Sequence, residues 1–161
     1  AMCIGFYVQV AHLVGAGEKE KAKNVFFQSI IICLIYSLVL AGISSSICAE
    51  LPKWLGAPQN LFHDSTMYFL IFGLSTPFFE IVYLMSGMLQ STGNMKFPAA
   101  MNATMCLLDI VFNWLFIFEL NLGVKGAALG SAAAAFATAL TMAVYTLIFS
   151  DYLNLKNFKN F

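Results

Sequence analysis

Residues 24–48 read NVFFQSIIICLIYSLVLAGISSSIC, and none of these side chains carries a charge. As a helix at 1.5 Å per residue this stretch covers ~37 Å, more than the ~30 Å of hydrocarbon in a bilayer. A soluble helix needs a polar side to face water, and this one has no continuous polar stripe. Taken from about Ala22, the run defines a segment 22–48, and three similar segments follow it, 61–89, 98–119 and 125–149. Each is long enough to span. Each must be helical, because an open sheet leaves backbone groups unpaired in lipid. Residues 1–14 form a shorter apolar segment that reads as the second half of a helix. The expected fold class is all-α: a polytopic transmembrane helix bundle of about four and a half spans.

Composition points the same way. Hydrophobic residues make up 60% of the chain and charged residues only 10%, against roughly 25% charged in a soluble domain. The formal net charge is zero, and no basic stripe recommends nucleic acid as a partner. Membrane lipids are the expected surroundings. The charges gather in short connections, VGAGEKEK, AELPKWLGAPQN, QSTGNMKF and the residues after Glu119. Their Gly, Pro and Asn residues mark turns, so consecutive helices should be antiparallel neighbours. Pro52 and Pro58 frame Trp54, whose ring suits the headgroup belt. The tail DYLNLKNFKNF is amphiphilic and is expected along the membrane surface.

Basic residues set the orientation. Lys19, Lys21, Lys23, Lys96, Lys156 and Lys159 fall on one side, and only Lys53 and Lys125 on the other. The positive-inside bias assigns the lysine-rich side to the cytoplasm, and the expected location is the cell inner (plasma) membrane, crossed several times.

Enzyme chemistry finds no support. Gly15-Ala16-Gly17 follows a membrane helix and lacks the strand–turn–helix setting of a nucleotide fingerprint. No Ser–His–Asp or Cys–His arrangement is present, and His12 and His63 lie near opposite faces. Cys3, Cys33, Cys48 and Cys106 have no ligand spacing, and they read as plain buried or lipid-facing thiols. Neither a metal nor an organic cofactor is expected.

The polar residues inside the spans are more informative. Asn102, Cys106, Asp109 and Asn113 share one face of a helix. Asp109 sits ~16 Å from the lysine-rich end of its span. An ionised carboxylate at that depth costs at least ~2.5 kcal/mol and normally faces a bundle interior or a water cavity. Asp109 is either a protonated structural hydrogen-bonder or a carboxylate that responds to protons or cations. The second reading leads.

Glu80 lies ~15 Å from the same face. Two carboxylates at one depth on adjacent helices could share a proton or a monovalent cation. Pro77, one turn before Glu80, removes a backbone hydrogen bond and is expected to bend its helix. In the last span, Gly126 and Gly130 form a small-residue ridge continued by Ala134 and Thr138, suited to close helix packing. Ser131, Thr138 and Thr141 offer hydroxyls to a cavity.

Three stretches carry a family resemblance: AHLVGAGEKEKAKNVFFQS (11–29), LIFGLSTPFFEIVYLMSGMLQSTGNMKFP (70–98) and DIVFNWLFIFELNLGVKGAALGSAAA (109–134). In their glycine turns, proline-containing helix and GV-x-GAA segment, the chain resembles the multidrug and toxic compound extrusion (MATE) transporters. The resemblance implies a fold of two six-helix lobes around a cavity that opens alternately to each side. Residues 1–161 would be most of the amino-terminal lobe, without the first helix and the second lobe, which become expected partners.

The activity implied is export of amphiphilic or cationic drugs in exchange for H+ or Na+. Asp109 and Glu80 are the ion-coupling candidates, with Asn102, Asn113 and Thr138 as cavity polar groups and Gly126 and Gly130 as packing residues. One departure stands out. Relatives often carry Asn and then Asp one turn apart in the fourth span here, whereas this chain has Asp109 and then Asn113. The carboxylate is thereby moved ~6 Å along the same face. His12 stands where many relatives have Gln. The alternatives are a lipid or precursor flippase-like carrier and a non-transporting membrane scaffold.

Overall fold

A computed structural model describes residues 2–54, 56 and 61–149. The elements are α1 (Met2–Gly15), α2 (Lys19–Ile47), the short α3 (Leu51–Trp54), α4 (Phe62–Ser91), α5 (Lys96–Trp114) and α6 (Gly123–Phe149). Between α5 and α6, Leu115–Glu119 continues as one wider π turn. There is no strand among the described residues. Four helices, counting α5 together with its π turn, are long and apolar enough to cross a membrane. The shorter α1 is largely apolar, interrupted by Gln9 and His12.

The helices begin earlier than their apolar runs. α2 starts at Lys19 and α5 at Lys96, ahead of the expected Ala22 and Pro98. A lysine at the mouth of a span lays its methylene stem along the apolar surface and keeps its ammonium in the interface, so charge does not end the helix. Pro98 sits in the first turn of α5, where its missing N–H would have had no helical acceptor.

The lysine-rich ends of α1 and α4 close in the same way. Gly17 and Gly93 adopt φ of 77° and 90°. The following amides bond back five residues, Glu18 N to Leu13 O and Asn94 N to Leu89 O. A residue with a Cβ is strained at these angles, so glycine is what allows each chain reversal.

The helices alternate direction. α4 lies at the centre between α2 and α6, α1 covers the seam of α2 and α4, and α5 rests on α6 with little contact to α4. Phe26, Val82, Leu84, Met88, Leu89 and Met142 fill the core. Lipid is as apolar as these side chains, so helix association depends on close packing. A Cβ on Gly126 would stand 2.8 Å from the Phe116 carbonyl oxygen, and one on Gly73 would stand 2.7 Å from Ser44 Cβ. Gly87 receives the face of the Tyr7 ring just as closely.

The outward residues Ile31, Ile35, Leu38 and Val39 of α2, Leu107, Ile110 and Val111 of α5 and Phe118 of the π turn are exposed, as lipid-facing side chains are. Pro77 lies inside α4 without ending it. The amphiphilic tail, Pro58, Lys156 and Lys159 lie outside the described residues.

Candidate functional site

Three helices turn polar stripes toward a common space. On α4 the stripe is Glu80, Tyr83, Gly87 and Gln90; on α1 it is Cys3, Tyr7 and Ala11. On α5 it is Asn102, Cys106 and Asp109, continued one turn on by Asn113. Spacings of three and four keep each set on one face of its helix. Because α5 leans on α6 instead of α4, the space between the stripes stays open. It forms two neighbouring cavities.

The larger cavity, about 660 Å³, lies against α1, α4 and the start of α5, with Glu80, Tyr7, Tyr83 and Gln90 on its wall. The smaller, about 330 Å³, lies against α4, α5 and α6, with Phe72, Phe79, Asp109 and Ser131 on its wall. Tyr83 and Asn102 border both. Asn102 Nδ2 donates to Ser86 Oγ at 3.3 Å, and Gln90 Nε2 donates to the same oxygen at 3.0 Å. This small polar network ties α5 to α4 near their connecting turn.

Asp109 and Asn113 share an unusual condition: the Oδ1 atom of each is buried with no hydrogen-bond partner. A buried acceptor left unsatisfied costs about 1–3 kcal/mol, and more when it is charged. Asn113 sits in the notch that Gly130 leaves in α6, where a Cβ would collide with its side chain and stand 2.9 Å from its amide nitrogen. Asp109 lines the second cavity; Asn113, one helical turn on, lines neither and packs against α6.

Glu80 faces elsewhere. Cys3 Sγ donates to Glu80 Oε2 at 3.1 Å, and Cys3 Sγ lies 3.5 Å from Cys33 Sγ on α2. Equal depth left open whether Glu80 faces Asp109 or another helix; the two carboxylates line different cavities. The rotation of α4 turns Glu80 toward α1 and α2.

The cavity position expected of Thr138 is corrected. It is fully buried, and its hydroxyl donates to the Ala134 carbonyl at 2.9 Å, so it lies in the packed interior of α6 and lines neither cavity. His63 is drawn to the far end from His12, where its Nε2 lies 3.0 Å from Lys125 Nζ. Among the described residues no group of three or more His, Cys, Asp or Glu side chains is arranged to hold a metal ion. Tyr83, three residues after Glu80, is a cavity residue that sequence reasoning missed, because tyrosines in a membrane helix read first as lipid-facing or interfacial. The Cys3–Cys33 contact was not legible either, because it depends on the mutual rotation of two helices.

The chain is similar to known proteins. The chain is 26% identical over 146 residues to the probable multidrug resistance protein YoeA of Bacillus subtilis, covering 88% of this chain and 31% of that one. It is 26% identical to the multidrug export protein MepA of Staphylococcus saprophyticus, covering 94% and 34%. It is 24% identical to an FAD transporter of Shewanella oneidensis, covering 89% and 32%. The chain thus spans about a third of the length of the curated relatives it matches.

Among solved structures, an inward-facing MATE multidrug resistance transporter superposes with a TM-score of 0.89 at 24% identity, over 94% of this chain and 35% of the other. A MATE crystallised with MaD3S gives 0.90 at 23% identity, over 99% and 36%. At these identities the likeness shows the fold. The MatE family model matches residues 1–115, and with four helices of spanning length the chain is a multi-pass protein of the plasma membrane that belongs to the MatE family.

Proposed function

We propose that this chain forms most of the amino-terminal lobe of a secondary multidrug antiporter, which exports amphiphilic or cationic compounds in exchange for H+ or Na+. The observation that carries the reading is the Asp109 carboxylate on the wall of a cavity between membrane-spanning helices, with one of its oxygens buried. A proton or cation bound there offsets the cost of holding a carboxylate out of water. Asn102 borders the same cavity and supplies a neutral polar group. Thr138 is left with a packing role.

The larger cavity suits the other ligand. Tyr7 and Tyr83 present aromatic faces and Glu80 a carboxylate, the combination that attracts an organic cation with apolar flanks. Names among the relatives, a multidrug export protein and a multidrug resistance protein, support the substrate class. Coupling requires two states whose balance depends on occupancy of both sites. Tyr83 and Asn102, which border both cavities, are where one occupancy is felt by the other. A second lobe supplies the opposing body against which this one rocks.

The test is Asp109→Asn in the complete reading frame that carries this chain, reconstituted in vesicles with an imposed pH or sodium gradient. The substitution keeps size and hydrogen-bonding capacity and removes the titratable group. Folding and expression are expected to persist while gradient-driven export is lost. Glu80→Gln is expected to reduce export less. Unimpaired export by Asp109→Asn under both gradients retires the coupling role and leaves Asp109 a structural hydrogen-bonder.

A further inference from the structure

Cys3 of α1 and Cys33 of α2 take no part in the coupling scheme, yet their thiols lie in direct contact. Their sulfurs are 3.5 Å apart, both residues are buried, and Cys3 also donates to Glu80 Oε2 at 3.1 Å. Cys3 and Glu80 are on the wall of the larger cavity. Two thiols, an adjacent proton acceptor and an open space beside them form a site with a definite chemistry.

Three uses of such a pair can be compared. A disulfide needs its sulfurs ~2.05 Å apart and an oxidant that takes two electrons, which the thiols do not themselves supply. A single soft atom bonded to both sulfurs, with bonds near the ~2.3 Å that zinc makes to thiolate, spans ~3.8 Å at a tetrahedral opening. The observed gap is close to the second value. A structural metal ion is the weaker occupant, because such ions take four ligands and no group of three or more ligating side chains is arranged for one among the described residues. What remains is a centre that needs only two sulfurs and brings its third substituent with it.

We propose that Cys3 and Cys33 form a dithiol site for trivalent organoarsenicals. Both thiols bond to one arsenic atom, and the organic substituent lies in the larger cavity beside Tyr7 and Ile4. With an arsenic(III) oxide as reactant, two S–H bonds and the arsenic–oxygen bond are broken and two S–As bonds form. The oxygen leaves as water with both thiol protons, and no oxidant or reductant is needed. Glu80 accepts the Cys3 proton as the first bond forms and passes it to the departing oxygen. Capture does not depend on the antiport reading, since it requires only the thiol pair and the cavity. If that reading holds, the adduct also deprives Glu80 of its donor and obstructs the larger cavity, so export falls when the site is filled.

The probe is phenylarsine oxide, applied to the protein expressed from its complete reading frame and purified in detergent, with intact mass as the readout. The wild type is expected to gain one phenylarsenic unit that survives a monothiol wash and is released by a dithiol such as 2,3-dimercaptopropanol. Cys3→Ser and Cys33→Ser, which keep size and polarity, are each expected to lose the monothiol-resistant adduct. Cys48→Ser and Cys106→Ser are expected to retain it. No adduct on folded wild type overturns the proposal. So does an adduct that a monothiol removes, or one that persists in either Cys3→Ser or Cys33→Ser. Export measured in parallel reports on the antiport reading separately: an adduct without loss of export leaves the site standing and counts against a role for Glu80.

Discussion

Gly130 has space for a hydrogen and little else, because the backbone amide and side chain of Asn113 occupy the place of its Cβ. A backbone atom cannot swing aside as a long side chain can. Gly130→Val is therefore expected to force α5 off α6 and lower stability by about 1–3 kcal/mol, read as a drop in unfolding temperature in detergent. A change indistinguishable from wild type would show that the two helices do not meet as described.

Much of this residue-scale detail was legible in outline. The Gly126–Gly130 spacing announced a close approach, and the Asn102, Asp109, Asn113 spacing announced a shared face. The identity of the residue filling the notch was not legible, since it depends on how far α5 slides along α6. Glu80 shows the limit more sharply. Its depth followed from counting residues, but the partner it found, the Cys3 thiol at 3.1 Å, required the rotations of two helices. Thr138 failed for a related reason: a hydroxyl on a helix can bond to the carbonyl four residues back, and it needs no cavity.

At the scale of elements, the four long apolar runs settled which segments are helices, and the charges misplaced their starts by a few residues. Lys19, Glu20, Lys21 and Lys23 are all helical, because a lysine in the first turn still reaches the interface. The π turn at Leu115–Glu119 had no sequence signature. It is seen in the Leu120 amide bonding back to Leu115, five residues earlier, and in Leu122 N reaching Phe116 O. The turn holds the backbone of Phe116 against Gly126.

The starts of α4 and α6 are also joined at their polar tips, where Lys125 Nζ lies 3.0 Å from His63 Nε2 and 3.7 Å from Asp64 Oδ1. The pair is partly exposed, and such pairs contribute no more than about 1 kcal/mol. Lys125→Ala is thus expected to leave the unfolding temperature nearly unchanged, in contrast to Gly130→Val on the same helix. A loss as large as that of the glycine variant would mean that the polar tips, and not the glycine seam, hold α6 in place.

At the scale of the molecule, up-and-down connectivity requires Lys21 and Lys96 to be on one side of the membrane and Lys53 on the other. Single cysteines at these positions, in a background without the native cysteines, should label with an impermeant maleimide in that alternating pattern. Labelling of positions 53 and 96 from the same face would break the topology. The same architecture bears on what this chain does by itself. Its faces on α1, α4 and α5 line two cavities, and its length is about a third of that of its curated relatives. Alternating access works by moving one helical body against another around a site held between them. One body alone can bind an ion or a drug, but it has no second state to shift toward, and a ligand that does not discriminate between two states drives nothing. Residues 1–161 expressed alone are therefore expected to insert, because the spans are apolar enough to do so, and yet to leave drug accumulation in cells equal to that of empty-vector controls. Insertion is checked by the labelling pattern just described, so that failure to fold is not mistaken for failure to transport. A reproducible, gradient-dependent fall in accumulation from a correctly inserted chain would show that copies of this chain combine into a transporting body.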